Sequence, residues 1–297
     1  MTAPPVSVVV PFHNRVADVP RCLEAVLREA RAIPGAEVVV VDNGSTDGTR
    51  EALAAVESAR LVDCARRGPA AARNAGIRGA RGELVAFTDS DCVPDPGWLA
   101  ALVAPFADPD VRAVGGRIDT LRTESGVAWY VATRRLLDNE VFFGARDPFP
   151  PFFATANAAY RRADLERVGG FDEELWTPED ADLCWRVMEG GGRMVYVPEA
   201  VVKHRHRDTF RGFFRQARDY GRGGYQLYAK HRAKVPGGFP PDWQAIRWLA
   251  ALPFAGPWIA LAAPNGPERR TPLYDAVWLT GILLGRLEGW RKTRRRA

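Results

Sequence analysis

The sequence predicts an α/β fold, a mostly parallel sheet with helices on both faces, and three observations carry that prediction. Strand and helix signals alternate from the N-terminus, as they do when parallel strands are joined by crossover helices. The strand signals are short apolar, β-branched runs such as Val6 to Val10 and Glu37 to Val41, the kind that is buried on both faces. With 297 residues, 46% hydrophobic and 26% charged, the chain can bury a substantial core in one large domain or two small ones.

Taken in order, Val6 to Val10 is a buried strand, and Asp18 is positioned to cap a helix whose Val19, Leu23, Val26, Leu27 and Ala30 follow the 3.6-residue period. Glu37 to Val41 is the next strand, Thr49 to Val56 a helix, Ala59 to Asp63 a short strand, Ala70 to Ala80 a helix and Leu84 to Thr88 a strand. Pro96 to Phe106 reads as a helix and Ala113 to Arg117 as a strand. From Thr120 to Phe153 no period dominates, and Asp147-Pro148-Phe149-Pro150-Pro151 is too proline-rich for an element interior. Order returns at Asn157 to Tyr160, followed by a helix from Ala163 to Val168, a turn at Gly169-Gly170, a helix from Pro178 to Glu189 and a strand from Met194 to Val197.

After His206 the character changes to a long helical, arginine-rich and aromatic segment, Thr209 to Lys230. Ile246 to Ala263 is 18 residues with one charge. Pro253 and Pro257 interrupt it, and it falls short of the roughly 20 apolar residues a spanning helix needs. In the last helical stretch Leu273, Val277, Thr280, Leu284 and Leu287 form a seam, with Trp278, Ile282 and Leu283 off it. Two readings stay open there, a helix packed on its own domain and one that touches a partner or a membrane surface.

Cys22, Cys64, Cys92 and Cys184 show no CxxC and no close pairing, which argues against a zinc ribbon or disulfide framework and for reduced thiols in the cytoplasm. Met1 to Pro5 opens no secretory signal. The net charge is +5, and Arg291, Lys292, Arg294, Arg295 and Arg296 supply as many positives, so the basicity reads as a property of the tail. Such a tail is a solvated end or a contact for anionic lipid on the inner face of the cytoplasmic membrane. Nucleic acid is not an expected partner, because no aromatic-interleaved basic stripe or finger spacing is present.

Chemistry concentrates at the strand ends. Val85-Ala86-Phe87-Thr88 stops on Asp89-Ser90-Asp91, and side chains two apart on an extended backbone share a side, so both carboxylates can face one hard cation. A solvated turn is the plainer reading. Val41 likewise runs into Asp42-Asn43-Gly44, and acidic ends of neighbouring parallel strands converge on one crevice. Thr177-Pro178-Glu179-Asp180 opens a helix, and His204-Arg205-His206 follows an apolar run.

The ordered set Val8-Val9-Val10-Pro11-Phe12-His13-Asn14, Val41 to Asp47, Ala72-Arg73-Asn74-Ala75-Gly76, Asp89-Ser90-Asp91, Gly169-Gly170-Phe171-Asp172-Glu173 and Glu179-Asp180-Ala181-Asp182-Leu183 resembles family 2 glycosyltransferases over residues 6–206. The resemblance implies a GT-A fold, a UDP, dTDP or GDP sugar donor, a divalent cation such as Mn²⁺ or Mg²⁺, and inversion at the anomeric carbon. It also implies a glycan or lipid-linked acceptor and a place in polysaccharide, cell-envelope or glycolipid synthesis. On this basis residues 1–207 form the catalytic domain, the nucleotide part ending near 117 and the acceptor part filling 118–207. Residues 208–297 form a helical extension.

Residue by residue, the resemblance sets Pro11 beside the nucleotide, gives Asp42 the base with Asn43 next to it, Asp89 the ribose or metal, and Asp91 the metal. Glu179 and Asp180 become the catalytic pair, Asp180 being the base that takes the acceptor proton. The same acids after Thr177 as N-cap and Pro178 at the first helical position also make a favourable helix start. His204 is a further metal ligand, with His206 on the same strand face as its rival. Arg73 is either positive charge for the diphosphate or a surface arginine. Asn157 and Trp176 are candidate acceptor contacts, with Trp176 alternatively packing over the core. Asp47 and Asp182 are expected to cap or solvate helices.

Gln244-Ala245-Ile246-Arg247-Trp248 matches the QxxRW pattern of processive polymerases in that family, but Gln216 to Gly221, with Tyr220, is the better positional counterpart. A single addition per encounter is therefore expected. The GxGxxG of dinucleotide enzymes is absent after the first strand, as are a Walker loop and a nucleotidyltransferase's glycine-rich basic loop. The remaining alternative is a non-catalytic nucleotide-sugar or glycan-binding protein on the same scaffold.

Overall fold

The computed structural model describes residues 6–144, 149–234, 243–262 and 266–294. The expectations for Met1 to Pro5, Asp147, Pro148, Ala263, Arg295 and Arg296 lie outside the described residues. β1 (Val6–Phe12), α1 (Val19–Arg31), β2 (Glu37–Asp42), α2 (Thr49–Ala54), β3 (Arg60–Asp63), α3 (Pro69–Gly79) and β4 (Leu84–Thr88) alternate as expected. There follow β5 (Cys92–Pro94), α4 (Trp98–Val103), β6 (Val111–Thr120), α5 (Gly126–Thr133), α6 (Asn139–Phe143), β7 (Asn157–Arg161), α7 (Arg162–Arg167), α8 (Glu179–Met188) and β8 (Arg193–His204). Three long helices close the described chain, α9 (Phe210–Lys230), α10 (Trp243–Ala262) and α11 (Thr271–Arg294).

The strands make one eight-stranded sheet in the order β3-β2-β1-β4-β7-β6-β8-β5. β1 is parallel to β2 and β4, β2 to β3, and β6 to β8, while β7 and β5 run against their neighbours. Side-chain alternation divides the core between the two faces. Val8, Val10 and Phe12 pack with Leu23 of α1 and Leu99 of α4, and Val9 packs with Ala71 and Ala75 of α3. Gly76 permits that second contact, since a Cβ there would sit 2.2 Å from Val9 Cγ1.

Register builds the site. Asp89 and Asp91 occupy the turn between β4 and β5, and β5 pairs antiparallel with the end of β8, setting Cys92 opposite His204. β8 runs past the expected end at Val197, through a register shift between Gly116 and Arg117 of its partner β6. Asn157 braces that irregularity by donating from Nδ2 to the Ala200 and Arg117 carbonyls, each at 2.8 Å.

Several local expectations are corrected. Asp18 precedes α1 but caps nothing with its side chain; it is buried and paired with Arg15, Arg21 and Arg205. The stretch after Thr120 contains α5 and α6, started by Ser125 and Asp138, which accept from Ala128 N and Glu140 N. These are ordinary N-caps, obscured in the sequence because each helix is too short to show a period. Pro253 and Pro257 lie inside α10 without ending it; both are on its exposed side, where carbonyls freed by a proline can meet solvent.

The seam on α11 is also reversed. Leu273, Thr280, Leu284 and Leu287 are exposed, while Gly281, Gly285 and Gly289 are buried. Added Cβ atoms on these glycines would meet Ala217 Cβ at 2.7 Å, Arg218 O at 2.0 Å and Arg222 O at 2.7 Å. The glycine stripe brings the α9 and α11 backbones together, a contact made of absent side chains. Val127, Tyr130, Phe213 and Tyr274 form a small core joining this pair to α5.

Candidate active site

Arg73 on α3 is the hub. It is buried, not a surface arginine, and donates from Nη2 to Asp89 Oδ1 at 2.8 Å and from Nη1 to Glu179 Oε1. Its neighbour Asn74 accepts from Phe171 N at 2.8 Å and donates to Phe171 O and Glu173 Oε1. One helix thus locks together three of the sequence motifs, at Asp89, at Gly170-Phe171 and at Glu179. The Arg73 Nε is buried without a partner among the described residues.

Glu179 and Asp180 begin α8, and they differ in what surrounds them. Glu179 is buried and clamped by Arg73. Burial pushes its carboxyl up to about 7, with Arg73 opposing and Asp180 adding to the rise. Asp180 is partly exposed. Among the described residues its carboxylate has one hydrogen bond, from Ala181 N at 2.9 Å, and burial again raises its pKa against the pull of Arg73. Thr177 is not the expected N-cap, because its hydroxyl donates to Asp219 O on α9 at 2.8 Å and Pro178 takes the cap position without a side-chain bond.

Asp91 faces the other way. Its Oδ1 lies 3.4 Å from His204 Nε2 and its Oδ2 accepts from Arg15 Nη2 at 3.2 Å. Burial works against its charge, but His204, Arg15 and Arg207 hold the carboxyl below its usual range. Behind His204, the two Nδ1 atoms of His204 and His206 are 3.1 Å apart, and His206 Nε2 is 3.0 Å from Thr120 Oγ1. Burial and the adjacent His204 push His206 down to about 3, so it is neutral.

These residues fit a divalent ion. With His206 Nε2–H donating to Thr120 and His204 Nδ1–H donating to His206, the lone pair of His204 Nε2 and the carboxylate of Asp91 face one point. That is the back-bonded arrangement usual for a ligating imidazole. The opposite proton placement instead gives a His204–Asp91 hydrogen bond, so the relay serves either state. Cys92 Sγ lies in the same group, but burial raises its thiol well above the usual range and a neutral thiol suits a hard cation poorly. Of the two histidines it is His204 that faces Asp91. Asp89, the other metal candidate, is committed to Arg73.

The rim toward β1 and β2 holds the other expected residues. Pro11 lies in β1 opposite Val41. Asp42 accepts from Gly44 N and Ser45 N, at 3.1 and 3.2 Å. Asn43 is a brace and not an open contact, since its amide donates to Cys64 O and Arg66 O and accepts from Gly68 N. Asn157 is likewise a brace and fully buried; its Oδ1 takes the Trp98 indole N–H at 2.8 Å. Trp176 does not pack over the core. It is 50% exposed, lies against Gly68, and bounds a cleft of about 740 Å³ shared with Arg222 and Gln226 of α9 and Lys292 of α11.

Two contributions were missed, that of the Asp182 carboxylate and that of the ions around Asp18. Asp182 is fully buried and paired with Arg186, Lys230 and His231, tying α8 to α9. Asp47 accepts from Thr49 N and Oγ1 in the turn that leads into α2, whose cap position is taken by Gly48. Arg15 and Arg205 form an ion cluster around the buried Asp18, with Arg15 also reaching Asp91; the i, i+3 spacing of Arg15 and Asp18 is local, but nothing local points to Arg205. Tyr220 of α9 is raised to about 12 by burial, with Asp180 and Glu179 adding, which sets it near the two acids that open α8. Trp248 of the QxxRW match donates instead to Asp275 at 3.2 Å.

The family model for Glycosyl transferase family 2 matches residues 7–169. A pre-mycofactocin glycosyltransferase of Mycobacterium tuberculosis is 34% identical over 293 residues, covering 95% of this chain and 57% of that protein. The chain therefore spans less than two thirds of that relative. Glycosyltransferase AglE of Haloferax volcanii is 29% identical over 241 residues, covering 79% of this chain and 77% of its own. Among solved structures, the mannosyltransferase PcManGT from Pyrobaculum calidifontis, in complex with GDP-Man and Mn²⁺, superposes with a TM-score of 0.67 at 25% identity, over 98% of this chain and 88% of that one. GalNAc-T7 with UDP, GalNAc and Mn²⁺ shares the fold, with a TM-score of 0.55 at 20% identity over 83% of this chain and 54% of that one.

Proposed function

The chain belongs to glycosyl transferase family 2, with a GT-A fold, and from that premise we propose that it moves a sugar from a nucleoside-diphosphate sugar to an acceptor hydroxyl with inversion. One observation carries the mechanism: of the two acids that open α8, Glu179 is ion-paired with Arg73, whereas the Asp180 carboxylate takes a single bond from the next backbone N–H. Asp180 accepts the proton of the acceptor hydroxyl as that oxygen attacks the anomeric carbon, a contribution of roughly 100- to 10,000-fold. The raised pKa of Asp180 makes it a stronger base than an exposed aspartate. Glu179 acts through Arg73, fixing the guanidinium that also orients Asp89.

The donor nucleotide is proposed to lie along the rim at Pro11 and Asp42, with Asp89 at the ribose. Asp91 and His204 would hold a divalent ion, Mn²⁺ or Mg²⁺, as the metal-bound neighbours suggest. When bound, such an ion neutralises charge that grows on the departing diphosphate. Arg15 balances Asp91 from the other side. The acceptor, glycan or lipid-linked, is proposed to enter past Trp176, with one addition per encounter. Residues 208–297 are read as an extension that closes this acceptor side and makes peripheral contact with anionic membrane through its basic tail.

The test is a donor screen that follows release of the nucleoside diphosphate from GDP-mannose, UDP-glucose, UDP-N-acetylglucosamine and dTDP-rhamnose. Turnover of at least one donor is expected with Mn²⁺ or Mg²⁺ and none in excess chelator. Binding of every donor without turnover under any condition would contradict the transferase reading.

A further inference from the structure

The helix α10 is apolar along most of its length and still turns large apolar side chains to water. Its outward face reads Trp243, Ile246, Ala250, Phe254, Trp258 and Leu261, at spacings of three and four. Phe254, Trp258 and Leu261 are 79, 75 and 71% exposed. The opposite side, through Ala245 and Trp248, is the one that packs, the latter held by Asp275 of α11. On α11, which packs against α10, Leu273, Leu284 and Leu287 are exposed as well. No helix among the described residues is long and apolar enough to cross a membrane. The face therefore has to be covered by something that lies against it.

Charge decides what. Residues 208–297 contain sixteen Lys and Arg against six Asp and Glu, whereas residues 1–207 contain twenty-five against thirty. Basicity is thus a property of the whole helical layer and not of the tail alone. Exposed Arg247, Arg269, Arg270, Arg291 and Lys292 accompany the apolar residues. Apolar side chains with tryptophans among arginines are the composition that settles at the boundary between headgroups and acyl chains.

We propose that α10 and the outer row of α11 form a docking face for an anionic bilayer, with α10 lying in the plane of the interface. This deepens the peripheral-contact reading given above and moves its main element from the tail to α10. Asp275 carries the consequence toward the site: it also accepts from Tyr130 of α5 and from Arg134 just after it, so the docked layer is bolted to α5. An acceptor anchored in the same bilayer would be delivered to the side of the molecule that α9 closes.

The experiment is co-sedimentation of the full chain with vesicles of phosphatidylcholine and phosphatidylglycerol in equal parts, and with phosphatidylcholine alone. The parent should bind the anionic vesicles more tightly, and a Phe254→Ser, Trp258→Ser, Leu261→Ser triple variant should bind them at least about tenfold more weakly. A variant with Arg291, Lys292 and Arg294 changed to Gln should lose mainly the salt-sensitive part of binding. Trp258→Phe, which does not threaten folding, should abolish part of the tryptophan quenching by brominated lipid.

Parent-like binding by the triple variant, or unchanged quenching in Trp258→Phe, would overturn the assignment to α10. If the tail variant alone lost binding, the tail reading would stand without it. A parent that ignores anionic vesicles would overturn both, and the donor screen would still report on transfer independently. A parent that sediments as a dimer without lipid, converted to monomer by the triple variant, would assign the face to a second copy and overturn the bilayer.

Discussion

Two halves of the active site carry similar residues in opposite states. Around Arg73 the charges are consumed: Asp89 and Glu179 are both paired with one guanidinium and Glu179 is buried. Around Asp91 and Asp180 capacity remains: Asp91 accepts from Arg15 through Oδ2 but turns Oδ1 to the Nε2 of a back-bonded imidazole, and Asp180 keeps one local hydrogen bond. The closed half sets positions and the open half has capacity left for a ligand. Adjacent acids on one helix, Glu179 and Asp180, thereby acquire different roles from their surroundings.

The comparison breaks most directly at the metal. Asp91→Asn or His204→Ala should weaken Mn²⁺ binding, read by calorimetry, by more than the roughly 10- to 100-fold expected of an outer partner. Asp89→Asn should weaken it less, because its carboxylate belongs to the clamp. Equal losses at Asp89 and Asp91 would erase the division between the halves.

Removing the hub should cost stability instead. Arg73→Met leaves Glu179 buried without its counter-charge, a loss on the order of 3 kcal/mol in denaturant unfolding. The loss should depend on pH. Glu179 in the folded chain already titrates near 7, above its unfolded value, so proton uptake stabilises the folded state at low pH and that stabilisation is lost as pH rises through the folded pKa. Without Arg73 the folded pKa climbs further, and the variant should be least stable above neutrality. A pH-independent loss would point to packing alone.

A smaller effect separates the open half by pH. The carboxyl of Asp180 is raised by burial, so kcat should fall on acidification at a higher pH than an exposed aspartate near 3.9 would give. A rate flat down to the range of ordinary aspartates would remove Asp180 from the rate equation.

Much of the sheet was legible because buried strands advertise themselves; Val6 to Val10 and Leu84 to Thr88 lie within a residue or two of the observed elements. The meeting of Asp91 with His204 was readable only through the family pattern, since it depends on the pairing of β5 with β8, a register that local composition does not encode. The Asp18 cluster was half legible: Arg15 and Arg21 flank Asp18 at i, i+3 spacing, whereas Arg205 lies 187 residues away and is brought in only by the fold. On α11 the leucine seam misled, because close helix pairing is made by glycines, which periodicity of apolar residues does not count. Asn43 and Asn157 had suitable chemistry and turned out to be spent on backbone carbonyls.

The central claim is that Asp180 is the open acid, and single-turnover transfer by Asp180→Asn tests it most directly. The amide keeps the size of the side chain but cannot take the proton. Transfer should slow by roughly 100-fold or more, while Mn²⁺ affinity, nucleoside-diphosphate affinity and melting temperature stay at the parent's values. Transfer at the parent's rate would contradict the account.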